Sequence, residues 1–170
     1  MLDRIKQIDT ELLIFLNNLG NKSWDPMWLS ITDKFTFLPL FILIIFFLFK
    51  KNGTKGLLVI LLFISVLILF TDQFTNVVKD FTQRLRPCRL DELQGLLRDI
   101  DIRCGKYGFF SAHAANSISV TIFIINCVDE SVKKFLKPVL ILWVMIFSYS
   151  RIYLGVHLSL IHISEPTRRR

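Results

Sequence analysis

The sequence has 170 residues, of which 52% are hydrophobic and sixteen are phenylalanine, and its mean hydropathy is +0.50. This composition is too apolar for an ordinary soluble domain and favours a surface that faces lipid. The formal net charge is +7, but the basic residues are scattered between apolar segments. The charge pattern therefore argues against a nucleic-acid-binding protein, and an integral membrane protein is indicated.

The N-terminal residues 3–19 have the pattern of an amphipathic helix lying at the membrane surface. The apolar run within them is short and is followed by Asn17 and Asn18, so it does not resemble a secretory signal. Four spans are then predicted, at about residues 27–49, 56–79, 111–128 and 136–154. The expected fold is an all-α polytopic membrane bundle with an N-terminal interfacial helix.

The short loops between the predicted spans indicate an orientation. Lysines lie at positions 50, 51 and 55 after the first span, and at positions 133, 134 and 137 after the third. Two crossings separate these loops, so they lie on one side of the membrane, which the positive-inside rule makes cytoplasmic. The polar loop of residues 85–109 and the end of the fourth span are then outside.

Cys88 and Cys104 bracket this outer loop, where an oxidising environment favours a disulfide between them. The alternative is two free thiols. Cys127 falls near the inner end of the third span and is interpreted as a small packing residue. No cysteine lies in a CxxC or zinc-type spacing, so neither a metal nor another cofactor is predicted.

One polar cluster begins within the second span. Its members recur at spacings of four, three, four and three, as expected for a single stripe along a helix: Asp72, Asn76, Lys79, Gln83 and Arg86. Lys79 and Arg86 would share a face two turns apart, and such a pair suits a multiply charged oxyanion. The alternative, snorkelling to lipid headgroups, accounts poorly for cations that alternate with amide side chains.

Two further clusters fall on the same side of the predicted membrane. Ser111 stands where a helix N-cap would, with His113 in the first turn, so free amides and an imidazole would face a bound anion. Gly155 can end the fourth helix in a left-handed conformation, with Arg151 on the last turn and His157 just beyond. Two histidines near one anion suit a nucleophile and an acid/base. Each cluster alone would be a routine interfacial helix end.

These clusters form an ordered pattern that resembles the three-part signature of the type 2 phosphatidic acid phosphatases, the superfamily shared with vanadium haloperoxidases. The pattern reads Lys79-x6-Arg86-Pro87, then Ser111-Ala112-His113, then Ser150-Arg151-x3-Gly155-x-His157. The resemblance covers residues 1–157. It implies metal-independent dephosphorylation of a membrane lipid phosphate or diphosphate through a phosphohistidine intermediate.

The resemblance also implies a role for each motif residue. His157 attacks phosphorus, and His113 protonates the leaving group and then activates water. The phosphate oxygens are held by Lys79, Arg86, Ser111, Ala112 and Arg151. Two positions depart from the family pattern, because Ala112 replaces the usual glycine and Ile161 stands where an aspartate orients the nucleophile.

The C-terminal residues 158–170 read LSLIHISEPTRRR and lack the fifth span that the family fold requires. They are therefore expected to be a non-native tail on a single phosphatase domain, residues 1–157, that is incomplete at its C-terminus. The alternative is a genuine short tail with a basic end.

The expected partners are the lipid bilayer and a bacterial envelope lipid, with no nucleic acid. Candidate substrates are undecaprenyl diphosphate, phosphatidylglycerol phosphate, phosphatidate and a lipid A phosphate. The expected location is the bacterial inner membrane, with the active site facing the periplasm or exterior. Two alternatives stay open: a noncatalytic protein that binds or transports a lipid headgroup, and an inactive truncated member of the phosphatase family.

Overall fold

The computed structural model describes residues 2–33, 35–100, 102 and 104–156, and all regular elements in these ranges are helical. The five α-helices are α1 (Leu2–Asn18), α2 (Asp25–Thr32), α3 (Leu38–Thr82), α4 (Ala112–Cys127) and α5 (Glu130–Tyr153). Two short 3-10 turns, Pro87–Arg89 and Asp91–Leu93, lie in the loop before α4. The prediction of an all-α fold is confirmed, whereas the predictions for residues 158–170 lie outside the described residues.

Helix α3 consists of two arms that meet at Gly53. This residue has φ 64° and ψ −175°, a conformation that glycine adopts without the penalty other residues carry. Ile44 and Ile64 line the same groove, although twenty residues of continuous helix would separate them by about 30 Å. The chain therefore turns back at Gly53, and the arms of residues 38–52 and 54–82 pack side by side.

The first predicted span begins later than the sequence indicated. The side chain of Asp33 accepts a hydrogen bond from the Phe35 amide at 2.8 Å, which closes a local turn after α2. A new helix then starts at Leu38, with Pro39 in its first turn. The predicted span of residues 27–49 is therefore interrupted, because this turn separates α2 from α3.

The main core lies between both arms of α3 and the helices α4 and α5. Its fully enclosed members include Leu48, Leu136 and Leu140. Large apolar side chains on the outer faces of α3 remain exposed, with Phe81 at 82%, which is the pattern of a surface in contact with lipid tails. Among the described helices, α3 and α5 are long and apolar enough to cross a membrane, and α4 is a shorter apolar helix.

The two lysine-bearing turns lie at one end of the bundle. Lys51 Nζ donates a hydrogen bond to the carbonyl of Val128 at 2.9 Å, and Asn52 donates to the carbonyl of Cys127 at 3.4 Å. These bonds join the Gly53 turn to the turn between α4 and α5. The end of α3, the start of α4 and the end of α5 consequently meet at the opposite end.

Candidate active site

Four of the side chains singled out in the sequence gather at this opposite end of the bundle. The charges of Lys79, Arg86 and Arg151 act on His113, and those of Arg86 and Arg151 act on Lys79. These groups come from α3, the following loop, α4 and α5, so the fold unites residues that are far apart in the chain. His157 belongs to residues 157–170 and lies outside the described residues.

Arg86 reaches the site by a different route from the one predicted. Helix α3 ends at Thr82, and Gln83 adopts a left-handed conformation with φ 47°. Arg86 follows in extended backbone, with φ −72° and ψ 152°. The prediction that Lys79 and Arg86 share one helical face is therefore wrong, and the loop instead brings the guanidinium back towards α3.

Backbone pairing holds Arg86 in place. Its amide donates to the carbonyl of Lys106 at 3.2 Å, and the amide of Gly108 donates to the carbonyl of Arg84 at 2.9 Å. The Arg86 Nε then donates to the carbonyl of Tyr107 at 3.0 Å. A Cβ atom at Gly108 would lie 3.0 Å from the Cγ of Arg86. The Arg86 side chain therefore packs directly on the backbone of Gly108.

A disulfide between Cys88 and Cys104 closes the base of this pairing, with 6.5 Å between their Cα atoms. Arg89 adds two hydrogen bonds across the same loop, to the carbonyls of Gly105 at 3.2 Å and Cys104 at 3.0 Å. Burial, and after it the neighbouring charge of Arg89, lowers the pKa of Arg86 from its ordinary value. The guanidinium stays cationic at neutral pH because it starts from so high a pKa.

The start of α4 faces the same site. Ser111 is the N-cap, as predicted, and its hydroxyl oxygen accepts a hydrogen bond from the Ala114 amide at 3.4 Å. Ala112 is the first helical residue, and His113 exposes its side chain one residue later. The His113 ring lies 5.8 Å from the ring of Phe147 on α5. A helix start of this kind offers amide donors and positive dipole to an anion.

Arg151 is a cation without a counter-ion among the described residues. Its Nη1 donates to the hydroxyl of Thr32 at 2.7 Å, and its buried Nε has no hydrogen-bond partner in the described part of the chain. A partly buried guanidinium left in this state carries a desolvation cost that an anionic ligand would offset. The geometry therefore provides an anion-binding position beside His113.

A groove of about 520 Å³ runs from this site along α3, α4 and α5. Its polar end contains His113 together with Asp72 and Asn116, whose side chains are joined by a 2.8 Å hydrogen bond. Apart from Ser117, the rest of its lining is apolar and includes Phe41, Ile64 and Trp143. A ligand with a charged head and an apolar tail matches this change of lining.

A hydrogen-bond network that was not predicted from the sequence ties α1 and α2 to the end of α5. The Asp25 carboxylate accepts hydrogen bonds from Arg98 at 2.6 and 2.7 Å and from the Tyr153 hydroxyl at 2.7 Å. Asn17 donates to the Tyr153 carbonyl at 2.6 Å and accepts from the Arg98 amide at 2.8 Å. The available signal was polarity, since the acidic Asp25 lies directly before the predicted span of residues 27–49.

Comparison with known proteins shows the family to which the chain belongs. Residues 56–159 match the PAP2 superfamily. The chain is 34% identical over 160 residues to a lipid A 4'-phosphatase of Bacteroides thetaiotaomicron, covering 92% of this chain and 70% of that protein. It is 31% identical over 158 residues to a lipid A 4'-phosphatase of Porphyromonas gingivalis, covering 92% and 66%.

The fold has a counterpart among solved structures. The crystal structure of a PAP2-type phosphatidylglycerolphosphate phosphatase from Bacillus subtilis superposes with a TM-score of 0.66 at 20% identity, covering 91% of this chain and 75% of that one. The apolar helices and the gathered cations thus define a membrane lipid phosphatase. The chain belongs to the PAP2 superfamily, and the predicted family and class of enzyme are confirmed.

Proposed function

We propose that this protein hydrolyses a phosphate monoester of an acylated sugar lipid of the lipid A class, and so releases inorganic phosphate. The observation that carries the proposal is the convergence of Lys79, Arg86 and Arg151 on His113, at the mouth of an apolar groove. The two relatives are lipid A 4'-phosphatases. For this reason we choose a lipid A phosphate from the four candidate substrates that the sequence left open.

The three cations bind the non-bridging phosphate oxygens in this proposal, assisted by Ser111 and by the amides at the start of α4. Phosphoryl transfer depends chiefly on positioning and on charge stabilisation in the transition state. Arg151 has a donor to offer, because its buried Nε has no hydrogen-bond partner within the described ranges. The phosphate would supply the missing counter-charge.

The proposed reaction has two steps, phosphoryl transfer to His157 and hydrolysis of the phosphohistidine. A ring nitrogen of His157 attacks phosphorus while the bond to the sugar oxygen breaks, and His113 donates its proton to that leaving oxygen. His113 then accepts a proton from water as the water oxygen attacks phosphorus and the bond from phosphorus to nitrogen breaks. Inorganic phosphate leaves, and both histidines return to their starting states.

The groove accounts for the lipid part of the substrate. Its apolar lining extends from His113 past Val120 to Ile124, along the direction in which acyl chains enter a bilayer. Asp72 lies at the polar end, where its negative charge would disfavour a phosphate that slid deeper than the cations. The headgroup would therefore stay at the mouth, with an acyl chain in the groove.

We further propose four membrane crossings: the two arms of α3, α4 and α5. The helix α4 has 16 residues and spans about 24 Å, and it crosses together with the adjoining Ser111 and Val128. The lysine-bearing turns face the cytoplasm, and the active site faces the periplasm or exterior of a bacterial inner membrane.

The test is release of inorganic phosphate in detergent from a lipid A phosphate, with phosphatidate as the comparison lipid. We expect turnover that a metal chelator leaves unchanged and that vanadate blocks, because vanadate resembles the five-coordinate transition state. Release by wild-type protein should disappear in His157→Ala. Lipid binding without release would favour the noncatalytic alternative, and equal turnover by His157→Ala would remove this residue from the nucleophile role.

A further inference from the structure

The guanidinium of Arg151 is held in one orientation by a residue of α2. Nη1 donates to the Thr32 hydroxyl at 2.7 Å, the one hydrogen bond of this side chain to the described residues. Nε is buried without a partner there, so the edge formed by Nε and Nη2 is left to a ligand. Arginine binds phosphate best through two parallel N–H donors on one edge.

The helix α2, which carries Thr32, is itself fixed to α5. Trp28, one turn earlier on α2, packs its ring 5.0 Å from the rings of both Tyr149 and Tyr153. Asp25, at the start of the same helix, accepts a 2.7 Å hydrogen bond from the Tyr153 hydroxyl. Two anchors on a helix of only eight residues limit how far Thr32 can move relative to Arg151.

The residue also lies outside the part of the chain that carries the family match. Residues 56–159 match the superfamily, whereas Thr32 contacts Arg151 across 119 positions of sequence. The N-terminal segment is therefore more than a membrane anchor, because it reaches into the phosphate site.

We propose that Thr32 is a positioning residue that orients Arg151, so that the Nε and Nη2 donors grip the phosphate. The proposal rests on the proposed function for the identity of the anion. Without the Thr32 hydroxyl, Arg151 can rotate and must be reordered each time phosphate binds. The expected loss is about tenfold in phosphate affinity, which is the size of one hydrogen bond to a charged group.

The test compares Thr32→Val, which keeps the shape but loses the acceptor, with Thr32→Ser, which keeps the acceptor. Ser30→Ala is the matched control, since it removes an exposed hydroxyl from the same helix. Binding of inorganic phosphate by calorimetry and the inhibition constant of vanadate are measured for each protein. We expect Thr32→Val to weaken both about tenfold, with Thr32→Ser and Ser30→Ala close to wild type.

A double-mutant cycle separates positioning from general stability. Lysine at position 151 has no fork to orient, so Thr32→Val should change phosphate affinity little in an Arg151→Lys background. An equal loss in both backgrounds, or unchanged affinity in Thr32→Val alone, would refute the role of Thr32. If Thr32→Val does not fold, Thr32→Ala is carried through the same cycle. Absence of phosphate binding by wild-type protein would refute the proposed function as well.

Discussion

The two arginines of the site are each held by a hydrogen bond to a different neighbour, whereas Lys79 is placed by its helix. Lys79 belongs to the last turn of α3, Arg86 is bonded to the Tyr107 carbonyl, and Arg151 is bonded to Thr32. Fixed cations lose less side-chain entropy when an anion arrives than free ones would. The three cations repel one another at this short range. Binding of an anion is therefore favoured, because it reduces this repulsion.

The role of the Arg86 guanidinium in phosphate binding can be tested by substitution. Arg86→Lys removes the Nε that bonds Tyr107, and one ammonium cannot match the two-donor edge of a guanidinium. We expect phosphate affinity and kcat/KM for the lipid to fall about tenfold or more. Arg89→Lys is the control, because it keeps the charge near Arg86 and changes an exposed side chain that donates to carbonyls of the loop. Similar losses in the two variants would show that the loop, and not the Arg86 guanidinium, matters.

At the scale of elements, the loop between α3 and α4 contributes to the candidate active site. Pairing of residues 84–86 with residues 106–108 sets the direction of Arg86. Residues further along the loop turn towards α1 and α2, where Asn18 donates to the Leu96 carbonyl at 3.0 Å. One loop thus connects the phosphate site with the N-terminal helices.

The disulfide of this loop can be tested directly. Removing it with Cys88→Ser frees a loop closed across 16 positions, for which chain entropy gives a loss of about 3 kcal/mol in the free energy of unfolding. We expect a lower midpoint of thermal unfolding in detergent. We also expect weaker phosphate binding, because the loop that positions Arg86 is no longer closed by the disulfide. Cys127→Ser supplies the control, because that thiol is free. Equal midpoints for wild type and Cys88→Ser would mean that the disulfide does not support the loop.

The limits of prediction from sequence are also visible at this scale. The Ser111 cap and the left-handed Gly155 follow from local chemistry and were predictable. The end of α3 was not, because the polar period continues past Thr82 while the left-handed Gln83 breaks the helix. The contact between Thr32 and Arg151 has no local signature at all, since it depends on how α2 packs against α5.

At the scale of the whole molecule, the arrangement separates two functions. One end of the bundle consists of tight lysine-bearing turns that hydrogen-bond to one another. The other end carries the long loop, the N-terminal helices α1 and α2, and the gathered cations. Between them lies apolar surface, with a groove that opens towards the cationic end. A lipid that lies in this groove with its headgroup at the cationic end would place its phosphate beside His113.

This division gives a prediction about orientation in the membrane. Cysteine at Gln94, an exposed position in the long loop, and cysteine at Lys55, an exposed position near the Gly53 turn, should lie on opposite sides. In a Cys127→Ser background, a membrane-impermeant maleimide should label Gln94→Cys on cells with a permeabilised outer membrane. Lys55→Cys should be labelled only after the inner membrane is opened, because the positive-inside rule keeps its lysine-rich turn in the cytoplasm. The reverse pattern would put the candidate phosphate site on the cytoplasmic side, and labelling of both positions from outside would contradict a membrane crossing by residues 54–82.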